Sequence, residues 1–146
     1  MTRVNFYQVS GGLDACRVVV AQLIGEALSR NLDILVRLDS ATSAERLARD
    51  LDTLCQAPVH VGPAIAASRG VSLCWRGDPG PHHGLLINVA AGIPDWYSRF
   101  ERLAELVYDQ PGLVADKRAS FRFYRDRGYP LRYHDLSRDL DLLHSA

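Results

Sequence analysis

The sequence predicts an α/β domain, Rossmann-like in general plan, with a mostly parallel central sheet flanked by helices. Short β-branched and apolar runs alternate along the chain with stretches of helical spacing, and Gly, Pro and Ser punctuate the changes. The 146 residues suit one domain, and 47% hydrophobic with 23% charged residues is ordinary globular composition. A chain of this size buries about two thirds of its unfolded surface and needs no covalent staples. We read residues 1–132 as the single α/β domain and 133–146 as a C-terminal tail.

Val4-Asn-Phe-Tyr-Gln-Val9 is a β-branched and aromatic run closed by Ser10-Gly11-Gly12, which predicts a first strand. Helical spacing follows from about Leu13 to Arg30, with Val18, Leu23, Ile24, Ala27 and Leu28 on one face. Leu32–Leu38 reads as a second strand. Thr42-Ser-Ala-Glu45 has the capping-box pattern ahead of Leu47, Leu51 and Leu54 at helical spacing. Val59–Val61 and Val71–Trp75 predict strands, with a short helix in the small-residue segment between them. Arg76–Gly84 is a turn-rich surface loop, and Leu85–Ala90 a buried strand. Pro94 fits the start of a helix reaching about Tyr108, and a last helix covers about Gly112–Arg127, stopped by Gly128 and Pro130. Beyond Leu131 the chain is polar with leucines and reads as a short docking helix or a frayed end.

The three cysteines, Cys16, Cys55 and Cys74, are far apart and lie among Ala, Leu, Val and Trp. They read as small buried hydrophobes of a reducing compartment, with neither a disulfide framework nor a zinc site. No signal peptide precedes Val4, and no apolar run approaches the roughly 18 residues of a membrane span. The expectation is a cytoplasmic protein with no membrane partner.

Ser10-Gly-Gly-Leu-Asp14 follows the first strand and opens the first helix. It resembles the Ser-Gly-Gly-x-Asp-Ser loop of PP-loop ATP pyrophosphatases, in which backbone amides and a helix N-terminus cradle phosphates. The final Ser is Ala15 here. The plainer reading is a tight glycine turn at Gly11 and Gly12, with Asp14 helping to cap the helix. Neither G-x-G-x-x-G nor G-x-x-x-x-G-K-[ST] occurs. His82 and His83 read as exposed loop histidines, and His60 and His134 as isolated, so no metal site is assigned. No catalytic constellation can be argued, and no cofactor is assigned.

The chain is neutral overall, yet residues 117–132 hold Lys117, Arg118, Arg122, Arg125, Arg127 and Arg132 against Asp126, about +5. That asymmetry points to a localised anion-binding surface. At about 100° per residue, Arg118, Phe121, Arg122 and Arg125 fall within roughly 60° of one another, with Lys117 at the edge of that face. Guanidinium groups grip carboxylates through paired hydrogen bonds, and an aromatic beside them can wall an apolar pocket. Such a stripe suits a peptide end both acidic and aromatic. The alternatives are a solvated basic face with Phe121 turned into the core, and direct binding of nucleic-acid phosphates, which the net-acidic remainder opposes.

The ending Phe121-Arg-Phe-Tyr-Arg-Asp-Arg-Gly-Tyr-Pro-Leu131 resembles the C-terminal signature of the chi subunit family of bacterial DNA polymerase III. The opening strand with Phe6-Tyr7, Leu85–Val89 ahead of Pro94, and Arg99–Val107 agree in order; the last matches a helix of the family. The resemblance implies a non-catalytic α/β subunit that pairs with the psi subunit, which tethers it to the clamp loader. It also implies binding to the acidic, aromatic-ended C-terminal tail of the single-stranded-DNA-binding protein, with no sequence-specific nucleic-acid contact. Matched by position, Arg118, Phe121 and Arg122 are implied contacts, with Val107 as an apolar wall. Lys117 and Arg125 join them, and Tyr124 of the same signature reads as structural. Relatives often carry Leu-Trp at the end of the second helix and then Phe-x-Pro-His. This chain has Leu54-Cys55 and His60-Val-Gly-Pro63 there, and Val114 where relatives can carry a basic residue. The psi-binding surface is not assigned to residues.

Overall fold

The structure, a computed structural model, describes residues 1–54, 58–63, 70–76 and 79–136. In chain order the elements are β1 (Arg3–Gln8), α1 (Leu13–Ser29), β2 (Ile34–Arg37), α2 (Ala41–Leu54), β3 (Val59–Val61), β4 (Val71–Cys74), β5 (Leu85–Asn88), β6 (Arg102–Val107), α3 (Leu113–Asp126) and β7 (Leu131–Asp135). The seven strands form one sheet in the order β3-β4-β2-β5-β6-β1-β7, and every pairing is parallel. The α/β reading stands. Parallel strands are covered on both faces, and here each face has its own apolar cluster. One gathers Val19, Leu23 and Ile24 of α1 with Leu47 and Leu51 of α2. The other gathers Val4, Phe6, Leu103 and Tyr124, with Phe121 and Trp96 packed against it.

The helix ends follow local chemistry. Beyond α1, Asn31 adopts φ 59°, and Leu32 N–H donates to Ala27 O at 3.0 Å, a left-handed stop that Asn tolerates. Beyond α3, Gly128 at φ 78° plays the same part, with Tyr129 N–H donating to Tyr124 O at 3.2 Å. The glycine read from sequence as the stop of the last helix is therefore that stop.

Several expectations are corrected. The stretch from Pro94 to Tyr108 is not a helix. It is a loop, one 3₁₀ turn at Tyr97–Arg99, and then the interior strand β6. Leu103–Val107 are all buried, and a strand covered on both faces shows no alternation to separate it from a helix. Residues 132–135, read as the start of a docking helix or frayed end, belong with Leu131 to edge strand β7 (Leu131–Asp135), which pairs in register with β1. The cap of α2 is Ser40, whose Oγ accepts from Ser43 N–H at 3.2 Å, two residues before the expected Thr42. Val18 lies 54% exposed on the outer side of α1, off the expected apolar face. Asp14 makes no side-chain cap and instead pairs with Arg17. His82 is buried, its Nε2 3.2 Å from Ser72 Oγ, while its neighbour His83 is exposed. The short helix expected between β3 and β4 and the side chain of Cys55 lie outside the described residues.

Candidate functional site

Helix α3 turns an unusual inner stripe toward the sheet: Leu113, Lys117, Ser120 and Tyr124 are its buried residues. Lys117 is 1% exposed. Its Nζ donates to Glu105 Oε1 at 2.7 Å, Ala90 O at 2.8 Å and Asn88 O at 3.2 Å. Tyr124 Oη donates to Glu105 Oε2 at 2.8 Å, and Asn88 Nδ2 to Oε1 at 3.0 Å. Burial, then the Glu105 carboxylate, pushes the Tyr124 phenol far above its ordinary range. The buried ion pair and its hydrogen bonds fix the rotation of α3 on β6. The structure thus corrects the placing of Lys117 at the edge of the solvent face: its ammonium is spent inside.

With that stripe held inward, Arg118, Arg122 and Arg125 are exposed and Phe121 faces the β1–β7 edge. The Phe121 ring meets Phe6 edge-on at 5.3 Å and Tyr133 at 5.9 Å, while Phe6 and Tyr133 stack at 6.2 Å. These three rings and Val107 line a groove of about 380 Å³, with the aliphatic side of Val114 and the three arginines completing it. Val107, Lys117, Arg118, Phe121, Arg122 and Arg125, all singled out from sequence, border this one cavity. Val107 reaches it from the C-terminal end of β6, not from a helix. Phe6, Val114 and Tyr133 were not among the proposed contacts. The alternation of Val4 and Phe6 to one face of β1 was a usable signal; Tyr133 had none once its segment was read as tail.

The +5 concentration resolves into parts. Lys117 is neutralised by Glu105. Arg125 Nη2 lies 3.2 Å from Asp126, and the Arg127 guanidinium carbon stands 3.7 Å from the centre of the Phe123 ring. Arg118 and Arg122 form no ion pair with any described residue. The Tyr133 phenol is raised, by burial first and by Asp135 second, with the Arg118 charge pulling the other way.

At the rival Ser10–Asp14 loop, Gly11 adopts φ 109° and its carbonyl accepts from Asp109 N–H at 2.8 Å, the tight turn expected there. No cluster of three or more candidate metal ligands occurs among the described residues. No described helix is long and apolar enough to cross a membrane.

The family model described as DNA polymerase III chi subunit, HolC, matches residues 1–132. The chain belongs to the chi subunit family. Among curated relatives, the DNA polymerase III subunit chi of Pseudomonas aeruginosa is 34% identical to this chi chain over 142 residues, 94% of this chain and 99% of that protein. Among solved structures, the Mss116p DEAD-box helicase domain 2 bound to an RNA duplex superposes with a TM-score of 0.63 at 9% identity. That match covers 90% of this chain and 63% of the helicase chain, and shows a shared fold alone.

Proposed function

We propose that this chi-family subunit acts as a non-catalytic adaptor, whose α3 groove holds the acidic, aromatic-ended C-terminal tail of the single-stranded-DNA-binding protein. The observation that carries the reading is the pairing of an aromatic floor (Phe6, Phe121, Tyr133) with the guanidinium groups of Arg118 and Arg122, which form no ion pair among the described residues, in one cavity. A terminal aromatic ring fits against Phe121 and Val107, while Arg118 and Arg122 take the tail's carboxylates through paired hydrogen bonds. Arg125 reinforces the field from the same face. Lys117 serves from below by fixing the helix. Exposed ion pairs are screened within a Debye length of about 8 Å at physiological salt, so the grip is salt-sensitive and exchanges readily. A second surface docks the psi subunit, through which the clamp loader is reached, and the protein works in the cytoplasm.

Calorimetric titration with a peptide of that tail tests the reading. Saturable binding should weaken about tenfold or more in Arg118→Ala and in Arg122→Ala, the loss of one charge-assisted contact each. Equal affinity in wild type and both variants would remove the groove as the site.

A further inference from the structure

A second cavity lies at the carboxyl ends of β2, β4 and β5. It measures about 390 Å³ and is lined by Arg37, Trp75, Arg76, Asp95 and Trp96 among others. Its position follows from the strand order. β2 and β5 are hydrogen-bonded neighbours. The chain leaving β2 enters α2, whose Leu47 and Leu51 belong to the α1-side cluster. The chain leaving β5 enters the loop carrying Ile93, Trp96 and Tyr97, which pack on the α3-side cluster. Adjacent parallel strands that send their connections to opposite faces leave a crevice outside their carboxyl ends, where α/β domains take small ligands. The volume falls within the roughly 300–1,000 Å³ of such sites.

The side chains at this crevice are of two complementary kinds. Both tryptophans of the chain are here, each half-buried, Trp75 against one core cluster and Trp96 against the other. They bring two flat π surfaces to one cavity from the two sides of the sheet. Arg37, the last residue of β2, is held in place through a single nitrogen. Its Nη1 donates to Asn88 Oδ1 at 3.0 Å, Ala91 O at 2.9 Å and Gly92 O at 3.4 Å. Its hydrogen bonds to described residues all run through that atom, and no described carboxylate pairs with it, so Nε and Nη2 are left to meet an anion. Arg76 is exposed and likewise forms no ion pair with a described residue. Asp95 supplies one exposed acceptor on the same wall.

From this juxtaposition we infer that the crevice binds a nucleotide unit, free or within a single strand, with its base on a tryptophan, its phosphate on Arg37 and Arg76, and a base amino group or sugar hydroxyl on Asp95. Base–aromatic stacking beside a cation is the usual means of gripping an unpaired nucleotide. An acidic peptide fits less well: Asp95 would oppose its carboxylates, and the tryptophan faces match a planar ring better than a chain. The site is independent of the α3 groove and does not rest on the adaptor reading.

Tryptophan fluorescence tests it directly, because both emitters line the cavity. The full chain is titrated with deoxyadenosine 5′-monophosphate and, separately, with a short deoxyadenosine oligonucleotide. Saturable quenching is expected, weakened about tenfold or more in Arg76→Ala, on the scale of one stacked or charge-assisted contact. Arg76 is exposed, so its variant should fold as wild type, which circular dichroism checks, and Arg122→Ala should bind both probes as wild type does. Tighter binding of the oligonucleotide than of the monophosphate identifies a strand as the ligand, and equal affinity per nucleotide a free nucleotide. Absence of saturable quenching by either probe overturns the inference. So does binding that survives Arg76→Ala and disappears in Arg122→Ala, or an acidic aromatic peptide whose binding, unlike that of the nucleotides, depends on Arg76.

Discussion

Replacing Lys117 by Met probes what orients the α3 groove. Met keeps the length and apolar stem of lysine, so packing volume changes little while the ammonium is removed. In the wild-type structure Glu105 is fully buried, with Lys117 as its sole described counter-ion. Tyr124 and Asn88, which donate to its carboxylate at 2.8 Å and 3.0 Å, remain as donors after the change. Neither carries charge, and the carbonyls of Asn88 and Ala90 also lose their donor. Removing one partner of a buried pair costs about 3–5 kcal/mol, because the remaining charge stays out of water. In a domain of this size each kcal/mol is worth roughly 2–4 °C, so Lys117→Met should lower Tm by roughly 6–20 °C and shift the urea midpoint accordingly. Adding Glu105→Gln to Lys117→Met should recover part of that loss, since a neutral amide needs no counter-ion. A single-variant loss below about 1 kcal/mol, the range of exposed pairs, would refute the idea that this contact anchors the helix.

Other outcomes follow from the same structure. At Gly84 a Cβ would stand 2.4 Å from the backbone oxygen of Asp33, the acceptor of Leu85 N–H, so Gly84→Ala should destabilise β5 by a few kcal/mol (~2–4) in urea unfolding. Burial pushes the Cys16 thiol up to about 12 and the Cys74 thiol to about 11, against the lowering charges of Lys117 and Arg37 respectively. Both should resist alkylation at neutral pH until the chain is unfolded, when each reacts at the rate of a free thiol. His134 is lowered by burial first and by Arg132 second. Its folded pKa lies below the unfolded value, so its contribution is present above about pH 6.5 and is lost as pH falls through the folded value. Stability should therefore decline on the acid side, with a shallower slope in His134→Gln.

How much was legible depended on whether a segment's neighbours were local. α3 could be read closely, because its cap glycines and its arginine spacing are written in consecutive residues. The mutual approach of Arg118, Phe121, Arg122 and Arg125 follows from helical geometry alone. β6 could not be read that way. Leu103, Leu106 and Val107 satisfy helical spacing as well as a buried strand, and burial on both faces by β5 and β1 erases the period of two. That misreading concealed a second fact: with Arg102–Val107 placed in a helix, Glu105 had no visible route to Lys117, and a lysine without a partner reads as exposed. β7 was hidden for a related reason. As an edge strand its side chains are half-exposed and polar, and its registry with β1 spans most of the chain. Tyr133, and with it one ring of the groove floor, went with it.

The groove's occupancy is best tested by mapping backbone amide shifts of the labelled protein on addition of the acidic, aromatic-ended tail peptide. The account predicts perturbations clustered at Phe6, Val107, Val114, Arg118, Phe121, Arg122 and Tyr133, shrinking as salt is raised toward about 0.5 M. Perturbations centred elsewhere, with these residues unmoved at saturation, would contradict it.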